Sequence, residues 1–524
     1  MPRVKTKETK EAKERHTRTT KACELCHRQK TRCLKSGSSS SCFRCLALEK
    51  PCSLASEPIS PSVPETHNQE LEQISVGYSL ASISADVREV LRVLKNPYLP
   101  EPSPYVAEDF KLNLTHKPFL TSSGSPLLYL ASTRPPNASF PPTILSQLHL
   151  LPVITPQTDI ISQGFLGIDE AVKLLDIFRD RYGRWISYPE ELPTANLLEH
   201  FRAKCPLLLT VVCALSLRYG DPKLKELVYD QMLIVIKTDL EANLINMPRN
   251  LEFIQCLTIL SIYSVSLSQE SAGLRLDGWY LSHLGIDLFM QLNNFGLMDN
   301  LYDVNFGGDD FNELTAYRTY NTLVLIHMAY CLLTGKQSFY SLKTLQPRKF
   351  YDNPLSTNFD YRVIAEMEVY LFAYRYLHMD EDFETVQNDM KDWLSEWEEL
   401  FTSSANEFVE IDYHFTEMLL MLWKKRFFLH DVKRDPEVLQ SVNFHATQIL
   451  SLAISIKDDS YFAFLSDQMH LIIVYSAKIM MGLDLHQSAQ VSDLLDNLAH
   501  RYGRIATAEN DMTMAYSETL SYRG

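Results

Sequence analysis

Six cysteines lie within the first 52 residues, Cys23, Cys26, Cys33, Cys42, Cys45 and Cys52, as the pattern C-x2-C-x6-C written twice with an offset of nineteen positions. Thiolates at this spacing bind soft metal ions. A tetrahedral site takes four sulfurs, so two separate sites need eight, and six suffice only when two thiolates are shared between neighbouring ions. All-sulfur ligation suits Zn2+. Cu(I) or an iron-sulfur cluster also accepts it, although the two-fold repeat is not an iron-sulfur spacing. So short a segment buries no real core, and metal binding must itself supply folding free energy.

The two halves differ between their cysteines. The first carries Arg28, Lys30 and Arg32, and the second carries Leu46, Ala47 and Leu48. One half is therefore suited to a polyanion and the other to packing. Charge follows the same division: residues 1–52 hold 14 Lys+Arg against 5 Asp+Glu, and the rest of the chain holds 36 against 60. A basic head on an acidic body favours a nucleic-acid partner for the head alone. Met1 to Lys21 is charged and has no apolar stretch, so no secretory signal is expected and the thiols belong to a reducing compartment.

The run Lys21-Ala22-Cys23-Glu24-Leu25-Cys26-His27-Arg28-Gln29-Lys30-Thr31-Arg32-Cys33, followed by Cys42-Phe43-Arg44-Cys45 and Lys50-Pro51-Cys52, resembles the fungal Zn(2)-C6 binuclear zinc-cluster transcription factors. The resemblance implies two Zn2+ ions, with Cys23 and Cys42 bridging, Cys26 and Cys33 completing one site, and Cys45 and Cys52 the other. It implies a nuclear protein that reads CGG-like half-sites on double-stranded DNA. Lys30 stands at the base-contacting position, with Arg28, Arg32, Lys35 and Arg44 on phosphates or flanking positions. The chain departs from the family pattern at His27, at Gln29 and in a proline-free loop, Leu34 to Ser41. Gln29 is suited to reading adenine or to bonding a phosphate.

These residues need a scaffold. A solvated basic arm is expected at 1–22, the cluster at 23–52, and a Pro/Ser-rich linker at 53–160, which holds 15 of the 25 prolines. Within it Val76, Leu80, Ile83, Val87, Val90 and Leu94 recur at alternating four and three, as a homodimer coiled-coil seam over 76–94 or as a short amphipathic helix. From 161 to 524 helical periodicity prevails, giving a mainly α protein: a small two-zinc, six-cysteine cluster domain, a linker, and a large all-α regulatory domain. Helices are expected at Ile168–Tyr182, Leu207–Arg218, Leu224–Ile245, Leu251–Ser268, Trp279–Asn293, Asn312–Thr334 and Arg362–Leu377, then Phe383–Phe401, His414–Leu429, Glu437–Ile456 and Tyr461–Met481. Glu170–Trp185, Cys205–Leu209, Phe253–Leu257, Gly278–Asp287 and Tyr317–Lys336 resemble the helical middle homology region that accompanies such clusters, a likeness reaching roughly residue 430.

Several features take plainer readings. Phe253 to Gln269 and Thr319 to Gly335 are uncharged but short and carry polar residues, so they read as buried helices and no membrane contact is expected. Cys205, Cys213, Cys256 and Cys331 sit in or beside apolar runs as core residues. In 380–412, 12 of 33 residues are acidic, but Trp393, Trp397, Leu400 and Phe401 share one helical face, which favours a structural helix over an activation segment. His283 and His327 read as core imidazoles, and Gly307-Gly308-Asp309-Asp310 as a turn. Phosphate-binding, zinc-protease and nucleophile-elbow motifs are lacking, so no enzyme is expected. The leading expectation is a sequence-specific regulator of RNA polymerase II genes. Its alternative is a chromatin-localised metabolite sensor or scaffold, whose helical body receives a small-molecule effector or transcriptional co-regulators.

Overall fold

The computed structural model describes residues 159–522, apart from 187, 190, 249, 295–308, 348–354, 403–406, 427 and 509–510, together with Cys23, Arg28 and Ser53. The chain divides into two units, Met1–Leu99 and Pro100–Gly524. The expected arm at 1–22, the 76–94 segment and almost all of the 53–160 linker lie outside the described residues.

Helices begin where the sequence caps them. Helix α1 (Ile168–Arg181) starts with Glu170 accepting the Gly167 N–H at 2.8 Å, and α2 is Thr194–Lys204. Helix α3 (Pro206–Arg218) opens on proline, which has no N–H to leave unpaired. Helix α4 (Pro222–Asn246) combines an Asp221 cap with proline at its first position and ends at Met247, whose φ of 49° lies in the left-handed region. Asn250 caps α5 (Leu251–Ile262). Then come α6 (Gly278–Asn294), α7 (Asp309–Thr334) and α8 (Asn358–His378), the last opened by the Thr357/Asp360 capping box. Helices α9 (Phe383–Glu396), α10 (Glu407–Lys424) and α11 (Pro436–Ser455) follow, with Asp382 and Asp435 capping the first and third. The series closes with α12 (Asp467–Gly482), α13 (Ala489–Ile505) and α14 (Met512–Ser521).

Each helix packs largely on its neighbours in the chain: α1 on α3, α3 on α4 and α5, α5 on α6, α6 on α7, α7 on α8, α8 on α10, α10 on α11 and α11 on α12. Every residue of α3 and α5 is buried, as expected of helices that are apolar all round. Gly285 eases the close approach of α6 to α7, since a Cβ there would stand 2.6 Å from a Leu323 methyl. Among the described residues there is no strand, and one isolated bridge joins Gln269 to Leu274. No described helix is long and apolar enough to cross a membrane.

Several expected helices are shorter than their periodicity suggests. The Leu251–Ser268 run breaks at Tyr263, because Asp467 of α12 takes the N–H groups of Val265 and Ser266 at 2.7 and 2.8 Å. The Phe383–Phe401 run breaks at Trp397, whose indole N–H donates to Glu368 at 2.9 Å. Helix α10 stops at Lys424, short of the expected Leu429, where Arg426 turns to a φ of 51°. The Tyr461–Met481 run is a short turn, Asp459–Ala463, followed by α12. Helices α2, α13 and α14 were not expected.

Candidate functional site

The cysteine head meets the described residues at two of the twelve expected site positions. Cys23 is buried, 1% exposed, and Arg28 is helical and exposed. A buried thiol suits a metal ligand, and an exposed helical guanidinium suits a DNA contact. Cys26, Cys33, Cys42, Cys45, Cys52, Gln29, Lys30, Arg32, Lys35 and Arg44 lie outside the described residues. The donor set itself fits zinc, since all six ligands offered are thiolates.

The helical body holds a second constellation that the sequence reading did not single out. Helix α8 places Phe359, Arg362, Glu366 and Tyr370 along one face, against Phe408 and Asp412 of α10, Gln468 and Met469 of α12, and Arg184 and Trp185 after α1. Between them lies a cavity of about 40 Å3. Tyr370 donates to the Asp412 carboxylate at 2.6 Å. Burial pushes the Glu366 carboxyl up to about 7, against the pull of the Arg362 and Arg184 guanidinium groups. Burial, and then the charge of Glu366, raises Asp412 well above the carboxylate range. Arg184 donates to the Tyr461 hydroxyl at 3.2 Å and to the Phe464 carbonyl at 3.4 Å, which fixes it at the rim. An acid inside an otherwise apolar helical face was the available signal, as in Val363-Ile364-Ala365-Glu366-Met367.

Other singled-out residues have structural roles. His327 bonds Ser282 and Ser338, each at 3.1 Å, and burial brings it down to about 4, so it is a satisfied core imidazole. His283 is only half-buried: it stacks on Trp279, and its Nδ1 has no hydrogen-bond partner. Cys205, Cys213, Cys256 and Cys331 are all buried. Trp393, Trp397 and Leu400 are buried too, so the acidic stretch around them is folded structure, with α9 packed on α8. Asp309 and Asp310 open α7, whereas Gly307 and Gly308 lie outside the described residues.

Sequence comparison decides the family. The family described as the transcriptional activator of proteases prtT middle domain matches residues 164–502. The chain belongs to this family. A transcriptional activator of proteases prtT from Penicillium rubens is 24% identical over 95% of this chain and 77% of its own length. The protein of that name from Aspergillus niger is 24% identical over 83% and 71%. An uncharacterised transcriptional regulatory protein of Schizosaccharomyces pombe is 24% identical over 75% and 64%. No solved structure matches.

Transcription regulation is thus the function class shared by these relatives. The prtT-like middle domain runs from just before α1 into α13 and includes every residue lining the cavity. It extends past residue 430, where the likeness to the middle homology region was expected to fade, and stops short of α14.

Proposed function

We propose that this chain is a sequence-specific DNA-binding transcription regulator, acting in the nucleus on RNA polymerase II genes, with a binuclear zinc cluster as its reading head. Cys23, Cys26, Cys33, Cys42, Cys45 and Cys52 hold two Zn2+ ions. Lys30 meets base edges of a CGG-like half-site, Gln29 reads an adenine beside it or bonds a phosphate, and Arg28, Arg32, Lys35 and Arg44 lie on phosphates or flanking positions. The carrying observation is the duplicated C-x2-C-x6-C with basic residues in one half only, on a chain whose body belongs to the prtT family. The relatives' name supplies the first target class to test, protease genes, and activation as the sign of regulation.

Metal analysis of the purified full chain tests the cluster. Two zinc ions per chain are expected, and Cys42→Ser should lose both because it removes a shared thiolate. A wild-type content near zero or one would overturn the reading.

A further inference from the structure

We propose that the outer face of α4 is where a second copy of this chain docks, with the two α4 helices antiparallel about a two-fold axis. This goes beyond the DNA-binding reading and does not depend on the zinc head. Helix α4 is 25 residues long, yet among the described helices it packs mainly on α3, and its far side is presented to solvent. On that side Leu227 is 75% exposed, Ile234 42% and Ile245 84%. Single exposed aliphatic side chains are ordinary on a protein surface, but these are aligned on one helix face, as at a protein contact.

Their spacing fits a second helix. Leu227, Gln231, Ile234, Thr238, Glu241 and Ile245 follow one another at alternating four and three, and all are exposed. Two helices pack at a shallow angle along such a seam. Antiparallel pairing sets Leu227 against Ile245 of the second copy, Gln231 against its Glu241, and Ile234 against its Thr238, each pair occurring twice. The Gln231 amide offers N–H donors to the opposing carboxylate. Thr238 Oγ1 already donates to the Ile234 carbonyl at 3.0 Å, which leaves its methyl for the opposing isoleucine. Parallel pairing would instead place Glu241 against Glu241, and like charges across a contact are costly. The stripe therefore matches itself in one orientation, as a two-fold contact must.

A seam of under three heptads is short for two free helices. Helix α4 is not free: Tyr229, Met232, Leu233 and Ile236 are buried on its inner side and hold it in place. Association then pays no cost of helix formation and little of ordering. One helix pair lies at the low end of specific interfaces, roughly 1,200 Å2 or below, so the dimer is a reversible one.

Crosslinking of the full-length protein with a short bismaleimide tests the register. Leu227→Cys combined with Ile245→Cys should give a covalent dimer well above the wild-type background. Either single variant should not, because in the antiparallel pair like positions lie about 27 Å apart along the axis. Sedimentation over a concentration series tests the strength. Leu227→Glu combined with Ile245→Glu should weaken self-association about tenfold or more, while leaving the melting temperature of the single chain unchanged, since both side chains are exposed there. A monomeric wild type, a double-cysteine variant that crosslinks no more than wild type, single variants that crosslink as well as the pair, or self-association unchanged by the two glutamates would each overturn the proposal.

Discussion

Arg218, the last residue of α3, forms a buried ion pair with Asp511, the cap of α14, at 2.8 Å. Burial alone would raise the Asp511 carboxyl, but the Arg218 charge and hydrogen bonds from Thr513 and Thr507 hold it well below the carboxylate range. The contact ties a helix beyond the prtT-like middle domain to α3, which is buried along its whole length.

Asp511→Ala should therefore leave a guanidinium buried without its counter-charge and α14 without its cap. Stranding one member of a buried pair costs about 3–5 kcal/mol. Urea unfolding of the full chain measures it. Asp511→Asn, which can still cap the helix, should lose less, and a loss below about 1 kcal/mol for the alanine variant would contradict the assigned role.

Gly278 sets the start of α6 against α7. A Cβ there would collide with the Tyr330 ring and stand 2.7 Å from the Ser264 hydroxyl, which bonds the Tyr330 hydroxyl at 2.7 Å. Gly278→Ala should cost about 1–3 kcal/mol, the usual penalty for overpacking. Gly285→Ala should cost less, because its nearest neighbour is a Leu323 methyl that can rotate aside. Melting temperatures of the two variants give the order directly.

Stability should depend on pH through two opposed sets of buried groups. The Glu366 carboxyl, raised to about 7 in the fold, favours the protonated native state. Its contribution is full below its unfolded value and is lost as pH rises through about 7. Burial lowers His327 and His414 to about 4, and His445 and His470 to about 3. Their contribution is present above an unfolded value of about 6.5 and is lost as pH falls below it. Glu366→Gln should thus match the parent near pH 5 and exceed it at pH 8 by about 3 kcal/mol at most. Denaturation midpoints across that range test the sign, and a variant less stable at pH 8 would refute it.

The legible parts of the molecule are those whose signal is local. Helices α3 and α5 were visible as continuous apolar runs, and α4 and α11 as periodic segments. The break at Tyr263 was not visible, because the carboxylate that satisfies the freed N–H groups is that of Asp467, about two hundred positions away. Helix α13 did carry a signal, with Val491, Leu495, Leu498, Tyr502 and Ile505 on one face, but its many polar residues obscured it. The cysteine head has a local signal too, its spacing, but all of its cysteines except Cys23 lie outside the described residues. The cavity gave only a faint signal, Glu366 within the apolar run Val363 to Met367, because Asp412 comes beside it only when α8 and α10 pack together.

The most direct test is selection of bound sequences from random duplex DNA by the full-length protein, with Lys30→Ala in parallel. Enrichment of a CGG-like half-site that Lys30→Ala abolishes is the expected result. Binding without sequence preference, unchanged by that substitution, would contradict the account.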